Sequence, residues 1–225
     1  AGLVGAGRTE TARLLFGVDR QDAGEIRIDG KRVRINSPVD AVEAGLGFVP
    51  EDRGIQGLVL KLPVQENIAL PTLNDHASAG WVDRRGLRDT AQEYVGKLNI
   101  RTPHLRQKVM FLSGGNQQKV VLAKWLASQP KVLIMDEPTR GIDVGAKAEV
   151  HALMSKLAQE GMGIIMISSE LPEILGMSDR VLVMAEGRVV AILDQGDATQ
   201  DKIMAYASGE INNNVVNATS TGAKV

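Results

Sequence analysis

The chain has 225 residues, enough for one sizeable α/β domain with a small appended subdomain. Its 26 Lys and Arg balance 27 Asp and Glu, a formal net charge of −1, which excludes the broad basic face of a protein that coats nucleic acid and gives no electrostatic reason to lie on a membrane. The absence of cysteine removes disulfides and thiolate metal sites and points to a cytosolic setting; no signal peptide is visible, and no apolar run reaches the roughly 20 residues of a membrane-spanning helix.

The chain opens with AGLVGAGRTE, in which Gly2 and Gly7 are four residues apart and are followed by a basic residue and Thr9. This is the spacing of a phosphate-binding loop, except that Arg8 stands where Lys is expected. Glycines let backbone N–H groups approach phosphate, the helix start that follows favours anions, and the Thr9 hydroxyl can reach Mg²⁺. An ordinary glycine-rich turn before a helix competes evenly with that reading on this stretch alone. A phosphate loop normally follows a buried strand, and here no such strand precedes it and Ala1 is not an initiator Met. We therefore expect the later part of a longer polypeptide, less stable alone than with its missing strand.

TARLLFGVDR reads as a short helix, and EIRIDGKRVRI alternates about an Asp29-Gly30 turn as a hairpin does. GLGFVPEDRG reads as a strand entering a polar loop. RRGLRDTAQEYVGKLNI sets Leu87, Ala91, Tyr94, Val95 and Leu98 on one helical face, which makes the middle region a helical subdomain. LSGGNQQKVVLAKWLASQP reads as a helix capped by Ser113 and stopped before Pro130. KVLIMDEP is a buried strand ending in two carboxylates. A further helix with Ala146, Val150, Leu153, Met154 and Leu157 as its stripe ends at Gly161, and the strand GIIMISS follows. Strands alternating with helices imply a mostly parallel sheet, with the hairpin as a small antiparallel part. We assign residues 1–62 and 128–210 to the nucleotide-binding core, 63–127 to the helical subdomain, and 211–225, polar and aperiodic, to a disordered tail. The Asn217-Ala218-Thr219 sequon in that tail carries little weight in a chain without export signals.

VLIMDEP delivers Asp136 and Glu137 to the C-terminal end of a strand, where ligands bind in open parallel sheets. Asp136 suits the shell of a Mg²⁺ ion, and Glu137 suits orientation or deprotonation of an attacking water. A core strand whose acidic end merely caps the next element is the alternative. Ser113, Gly114 and Gly115 supply a second anion-binding helix start, although an ordinary capped helix is the better explanation of that stretch by itself.

In this order, the three stretches resemble the ATP-binding domain of ABC transporters, a P-loop NTPase fold, up to about Arg188. The Walker A loop corresponds to Gly2, Gly5, Ala6, Gly7, Arg8, Thr9 and Glu10, the signature to Leu112 to Gly115, Walker B to Val132 to Glu137, and the D-loop to the stretch around Asp143. GAGRTE, VPEDRGIQGLVL, QENIAL, LSGGNQQKV and DEPTRGIDVGAK resemble, more narrowly, the second of two fused ATP-binding halves in bacterial importers of ribose, galactose, xylose and arabinose.

The resemblance implies an ATPase coupled to sugar import, with ATP and Mg²⁺ as cofactors. The nucleotide would be held by the Walker A residues with Glu51, Asp136 and Ser169, Mg²⁺ by Thr9 and Asp136, and the reaction would use Glu137 as catalytic residue. Because such domains pair head to tail, Ser113, Gly114, Gly115, Asn116 and Asp143 would contact the ATP of the other half. The implied partners are an N-terminal half in the same polypeptide, membrane permease subunits, for which Leu58 to Leu70 is either the docking surface or an ordinary interdomain loop, and indirectly a periplasmic or extracellular sugar-binding protein, with no nucleic acid. The implied location is peripheral, at the cytoplasmic face of the cell membrane, and the aromatic that stacks on adenine would precede Ala1.

Departures from the family pattern gather at one nucleotide site. Arg8 replaces Lys, Glu10 replaces a small hydroxyl residue, Glu51 occupies the Q-loop glutamine position and Ser169 the switch-histidine position. The planar Arg fork is no substitute for a compact ammonium. A carboxylate about 4 Å from a phosphate oxygen would cost on the order of 4 kcal/mol at an effective dielectric of about 20, unless metal or protonation offsets it. We expect this half to bind nucleotide, to hydrolyse it slowly or not at all in its own site, and to complete the other half's site with its signature. A soluble ABC protein unconnected with transport and a purely regulatory nucleotide-binding half remain as alternatives. His76, His104 and His151 have no ligand-spaced companions, the Arg84, Arg85 and Arg88 cluster reads as a solvated face, and Trp81 and Trp125 read as packing residues.

Overall fold

The computed structural model describes residues 1–78 and 81–211; apart from Ile211, the tail and its sequon lie outside the described residues. In chain order the elements are α1 (Arg8–Leu15), β1 (Ile26–Ile28), β2 (Lys31–Val33), α2 (Pro38–Glu43), β3 (Leu46–Val49), α3 (Val64–Ala69), β4 (Ala77–Ser78), β5 (Trp81–Val82), α4 (Arg84–Lys97) and α5 (Gly114–Leu126). They continue with β6 (Val132–Asp136), α6 (Val144–Gln159), β7 (Gly163–Ile167), α7 (Leu171–Met177), β8 (Arg180–Ala185), β9 (Arg188–Asp194) and α8 (Gln200–Ala207). The chain divides into two compact units, one formed by Ala1–Arg13 with the segment from Met166 onward, the other by Leu14–Ile165.

In the larger unit the continuous apolar run Leu133, Ile134 and Met135 is wholly buried, as a central strand requires. β6 pairs in parallel with β3, Phe48 opposite Ile134, and the strand order is β3-β6-β7. Phe16 joins the hairpin side to this sheet, its ring 5.4 Å from Phe48 and edge-on to Trp125 at 5.2 Å. The hairpin β1–β2 closes through Asp29 and Gly30, with φ of 51° and 72°, the left-handed pair that a two-residue hairpin turn demands. α3, α4 and α5 pack on one another, with the predicted α4 stripe inward at buried Ala91 and Leu98.

Two differences from the sequence reading are instructive. The first helix begins at Arg8 rather than Thr11, so the basic residue of the loop already belongs to the helix. Trp81 is 82 % exposed and packs against no core, whereas Trp125 behaves as read. A two-residue strand cannot bury an indole, while Trp125 sits on a helix that is apolar on most of its circumference.

In the smaller unit β8 and β9 form an antiparallel hairpin with a bulge between Val183 and Met184, and α8 covers it. Ile174, Val181, Val183, Ala191, Ile203 and Ala207 make its core. The first residues of the chain run parallel to β8, through a bridge between Gly2 and Met184 and a bond from the Met184 amide to the Ala1 carbonyl at 2.9 Å. Among the described residues, no helix is long and apolar enough to cross a membrane.

Candidate functional site

The candidate residues fall into two groups, one in each unit. In the smaller unit the loop Gly2 to Gly7 turns through left-handed backbone at Gly5 (φ 80°) and Gly7 (φ 92°) before α1 begins. Gly2 is glycine for want of room, since a Cβ there would lie 2.5 Å from the Met184 carbonyl oxygen. Gly5 faces open space, and its backbone is exposed beside the start of α1, which is the geometry of an anion cradle. Ala6 is buried, Thr9 half-buried and Glu10 exposed.

Arg8 is tied to the segment after β7. Its Nη1 donates to the Ser168 carbonyl at 2.9 Å, and the buried Ser168 hydroxyl accepts from the Glu170 amide at 3.0 Å. The unit thus brings Arg8 to the backbone next to Ser169, while the Ser169 side chain is exposed. A guanidinium held by a backbone carbonyl is oriented in a way that a mobile lysine ammonium is not.

In the larger unit β6 ends at Asp136, which is 1 % exposed, and passes directly to Glu137. Glu137 adopts φ 48°, a left-handed backbone that non-glycine residues rarely take and that gathers at functional turns. The turn closes with a bond from the Arg140 amide to the Glu137 carbonyl at 3.1 Å. The Glu51 carboxylate is ion-paired with the Arg140 guanidinium. That pairing neutralises the carboxylate which the sequence reading left to metal or protonation.

The helix start of α5 is built as read: Ser113 caps it, its Oγ accepting from the Asn116 side-chain Nδ2 at 2.9 Å. Asn116 in turn accepts from the Arg101 amide at 2.8 Å. Gly115 packs so closely that a Cβ would lie 2.9 Å from the Ala146 Cβ. Asp143 caps α6 through the Ala146 amide at 2.9 Å. The signature and D-loop candidates are therefore neighbours in one unit, and Glu51 reaches the turn that carries Glu137.

Sequence reasoning missed three participants: Arg53, whose guanidinium donates to the Arg140 and Gly141 carbonyls, Arg140 itself, and Ser168. All act across more than 85 residues of chain, where no periodicity or spacing signals a contact.

The ribose import ATP-binding protein RbsA 2 of Streptomyces avermitilis is 56 % identical over 209 residues, covering 93 % of this chain and 41 % of that protein. The ribose import ATP-binding protein RbsA 1 of Streptomyces coelicolor is 57 % identical over the same length, again 93 % of this chain and 41 % of that protein. The chain thus spans about two fifths of the length of the curated relatives it matches. In fold it is similar to a nucleotide-free ATP-binding cassette from an ABC transporter, with TM-score 0.74 and 22 % identity over 92 % of this chain and 82 % of that one. A dimeric post-hydrolysis ATP-binding cassette bound to ADP and Pi is likewise similar, with TM-score 0.72 and 22 % identity over 86 % and 83 % of the two chains. The family model described as ABC transporter matches residues 1–140, and the chain belongs to that family.

Proposed function

We propose that this chain is an ATP-binding part of a monosaccharide importer, which couples Mg²⁺-dependent ATP hydrolysis to import through separate permease subunits at the cytoplasmic face of the membrane. The names of its relatives support the sugar class. The observation that carries the ATPase reading is the strand β6 ending in buried Asp136 and left-handed Glu137, in the same unit as the glycine-rich start of α5.

The residues present suit the nucleotide and its metal. The loop leaves its backbone open to phosphate at Gly5, and the Thr9 hydroxyl in this unit and the Asp136 carboxylate in the other are each oxygen donors, the kind Mg²⁺ takes when phosphates complete its shell. Bound Mg²⁺ would supply charge neutralisation for the transferring phosphoryl group. Glu137 would orient a water or accept its proton, Gly2 to Thr9 would hold the phosphates, and Ser113, Gly114, Gly115, Asn116 and Asp143 would face the nucleotide of a partner half.

Within that reading the chain's own site is the slower of two. Arg8 is engaged by the Ser168 carbonyl, and Ser169 carries no charge. The chain would therefore serve hydrolysis mainly through Ser113 to Gly115, in a site shared with the N-terminal half of the same polypeptide. Steady-state ATP hydrolysis by the full two-half protein with its permease tests this. Ser113→Ala should lower kcat on the order of 10²-fold, with Ser113→Thr, which keeps the helix cap, less affected. Wild-type turnover by the Ser113→Ala protein would refute the proposal.

A further inference from the structure

Between β3 and α3 the chain makes a tight turn whose purpose neither the phosphate chemistry nor the core explains. The Asp52 carboxylate accepts from the Gly54 and Ile55 amides, both at 2.9 Å, and winds Arg53–Gly57 into one wide helical turn. Lys124 of α5 fastens the far end, its ammonium donating to the Gly57 carbonyl at 3.0 Å. From the near end Arg53 reaches across the unit: Nη1 donates to the Arg140 carbonyl at 2.9 Å and Nη2 to the Gly141 carbonyl at 3.2 Å. The same Nη2 lies 3.0 Å from where a Cβ on Gly114 would stand. The guanidinium therefore fills the space between the start of α5 and the turn that follows Glu137.

We propose that Arg53 is a positioning residue whose guanidinium fork locks the Arg140–Gly141 turn beside the Ser113–Gly115 helix start, so that the segment after Glu137 and the signature keep one fixed spacing. Two carbonyls of consecutive residues, Arg140 and Gly141, match the two-pronged donor of an arginine, which a lysine ammonium on its flexible stem cannot reproduce. Gly114 then has a reason of its own to lack a side chain, since any Cβ would crowd the fork. Arg53 touches neither nucleotide nor water in this account, and acts through the two backbone segments it joins. The kinetic consequence rests on the ATPase reading proposed above, whereas the clamp itself does not.

The test is amide hydrogen–deuterium exchange on the full two-half protein without nucleotide, paired with ATP hydrolysis by the same protein with its permease. Arg53→Ala should speed exchange about tenfold in both 113–117 and 140–146 while the amides of β6 stay as protected as in wild type. It should lower kcat about tenfold with half-saturating ATP changed less than about twofold, the pattern of lost positioning rather than lost binding. Arg53→Lys should show the same pattern at smaller amplitude, and decides the matter if Arg53→Ala does not fold. Wild-type exchange in both segments, or acceleration spreading through β6 as a general loosening of the unit would, overturns the clamp. A wild-type protein without ATPase activity refutes the proposed function instead, and the exchange result still decides the role of Arg53.

Discussion

Glu51 and Arg140, 89 positions apart in the chain, meet as an ion pair beside the turn that carries Glu137. Both side chains are more than a third exposed, so the pair contributes at most about 1 kcal/mol to folding, and its importance lies in charge placement. Arg140→Ala should therefore change the urea unfolding free energy by less than about 1 kcal/mol. In the full-length protein it should weaken Mg-ATP binding, and adding Glu51→Gln should restore that binding, because the liberated carboxylate is then removed. Calorimetric titration of wild type and the two variants checks this; unchanged affinity in Arg140→Ala would show that Glu51 needs no counter-charge.

Phe16 and Trp81 give opposite expectations for stability. Phe16 is 4 % exposed and contacts both Phe48 and Trp125, so Phe16→Ala should cost about 3 to 5 kcal/mol through lost burial and a residual cavity. Trp81 is 82 % exposed, and Trp81→Ala should stay within about 0.5 kcal/mol of wild type. Denaturant melts of the two variants separate core from surface.

Arg8 is expected to matter for stability as well as for nucleotide. Removing a charged donor from a backbone acceptor costs about 1.5 to 3 kcal/mol, so Arg8→Met, which keeps the aliphatic stem, should destabilise by about that amount. An unfolding midpoint equal to wild type would show that the Ser168 carbonyl finds water as good a partner.

Helix α4 supplies a pH test. Asp83 caps it, accepting from the Arg85 amide at 3.0 Å, and bonds from the Gly86 and Arg85 amides hold its carboxyl below the usual carboxylate value of 3.8. A depressed folded pKa means that the stabilisation is fully present above pH 3.8 and is lost as pH falls through the folded value. The stability gap between wild type and Asp83→Ala should thus be constant at neutral pH and close in strong acid. Asp83→Asn, which caps without titrating, should remove that part of the acid dependence.

Much of the fold could be read because its signals are local. The apolar run before Asp136, the Ser113 cap and the Asp29-Gly30 turn each depend on a few consecutive residues, and each forms where read. The hairpin β8–β9 went unread because each strand opens on a charged residue, Arg180 and Arg188, and its buried positions Val181, Val183 and Ala191 are secured by α7 and α8, which the sequence reading did not reach. The site was legible as a set of residue types, through motif spacing. Its electrostatics were not: Glu51 read as an unbalanced charge because its partner Arg140 is brought near only by the parallel pairing of β3 with β6. Nothing in AGLVGAGRTE announces the bond from Arg8 to the Ser168 carbonyl, made across 160 residues of chain.

This chain should contribute to hydrolysis through Ser113 to Gly115 more than through its own carboxylate. The most direct measurement is steady-state ATP hydrolysis by the complete two-half protein with its permease, comparing wild type with Glu137→Gln. Most activity should survive, since the site served by Glu137 is the slow one. Collapse of activity in Glu137→Gln would contradict it, and would make Arg8, Glu51 and Ser169 tolerated variations in a working hydrolase.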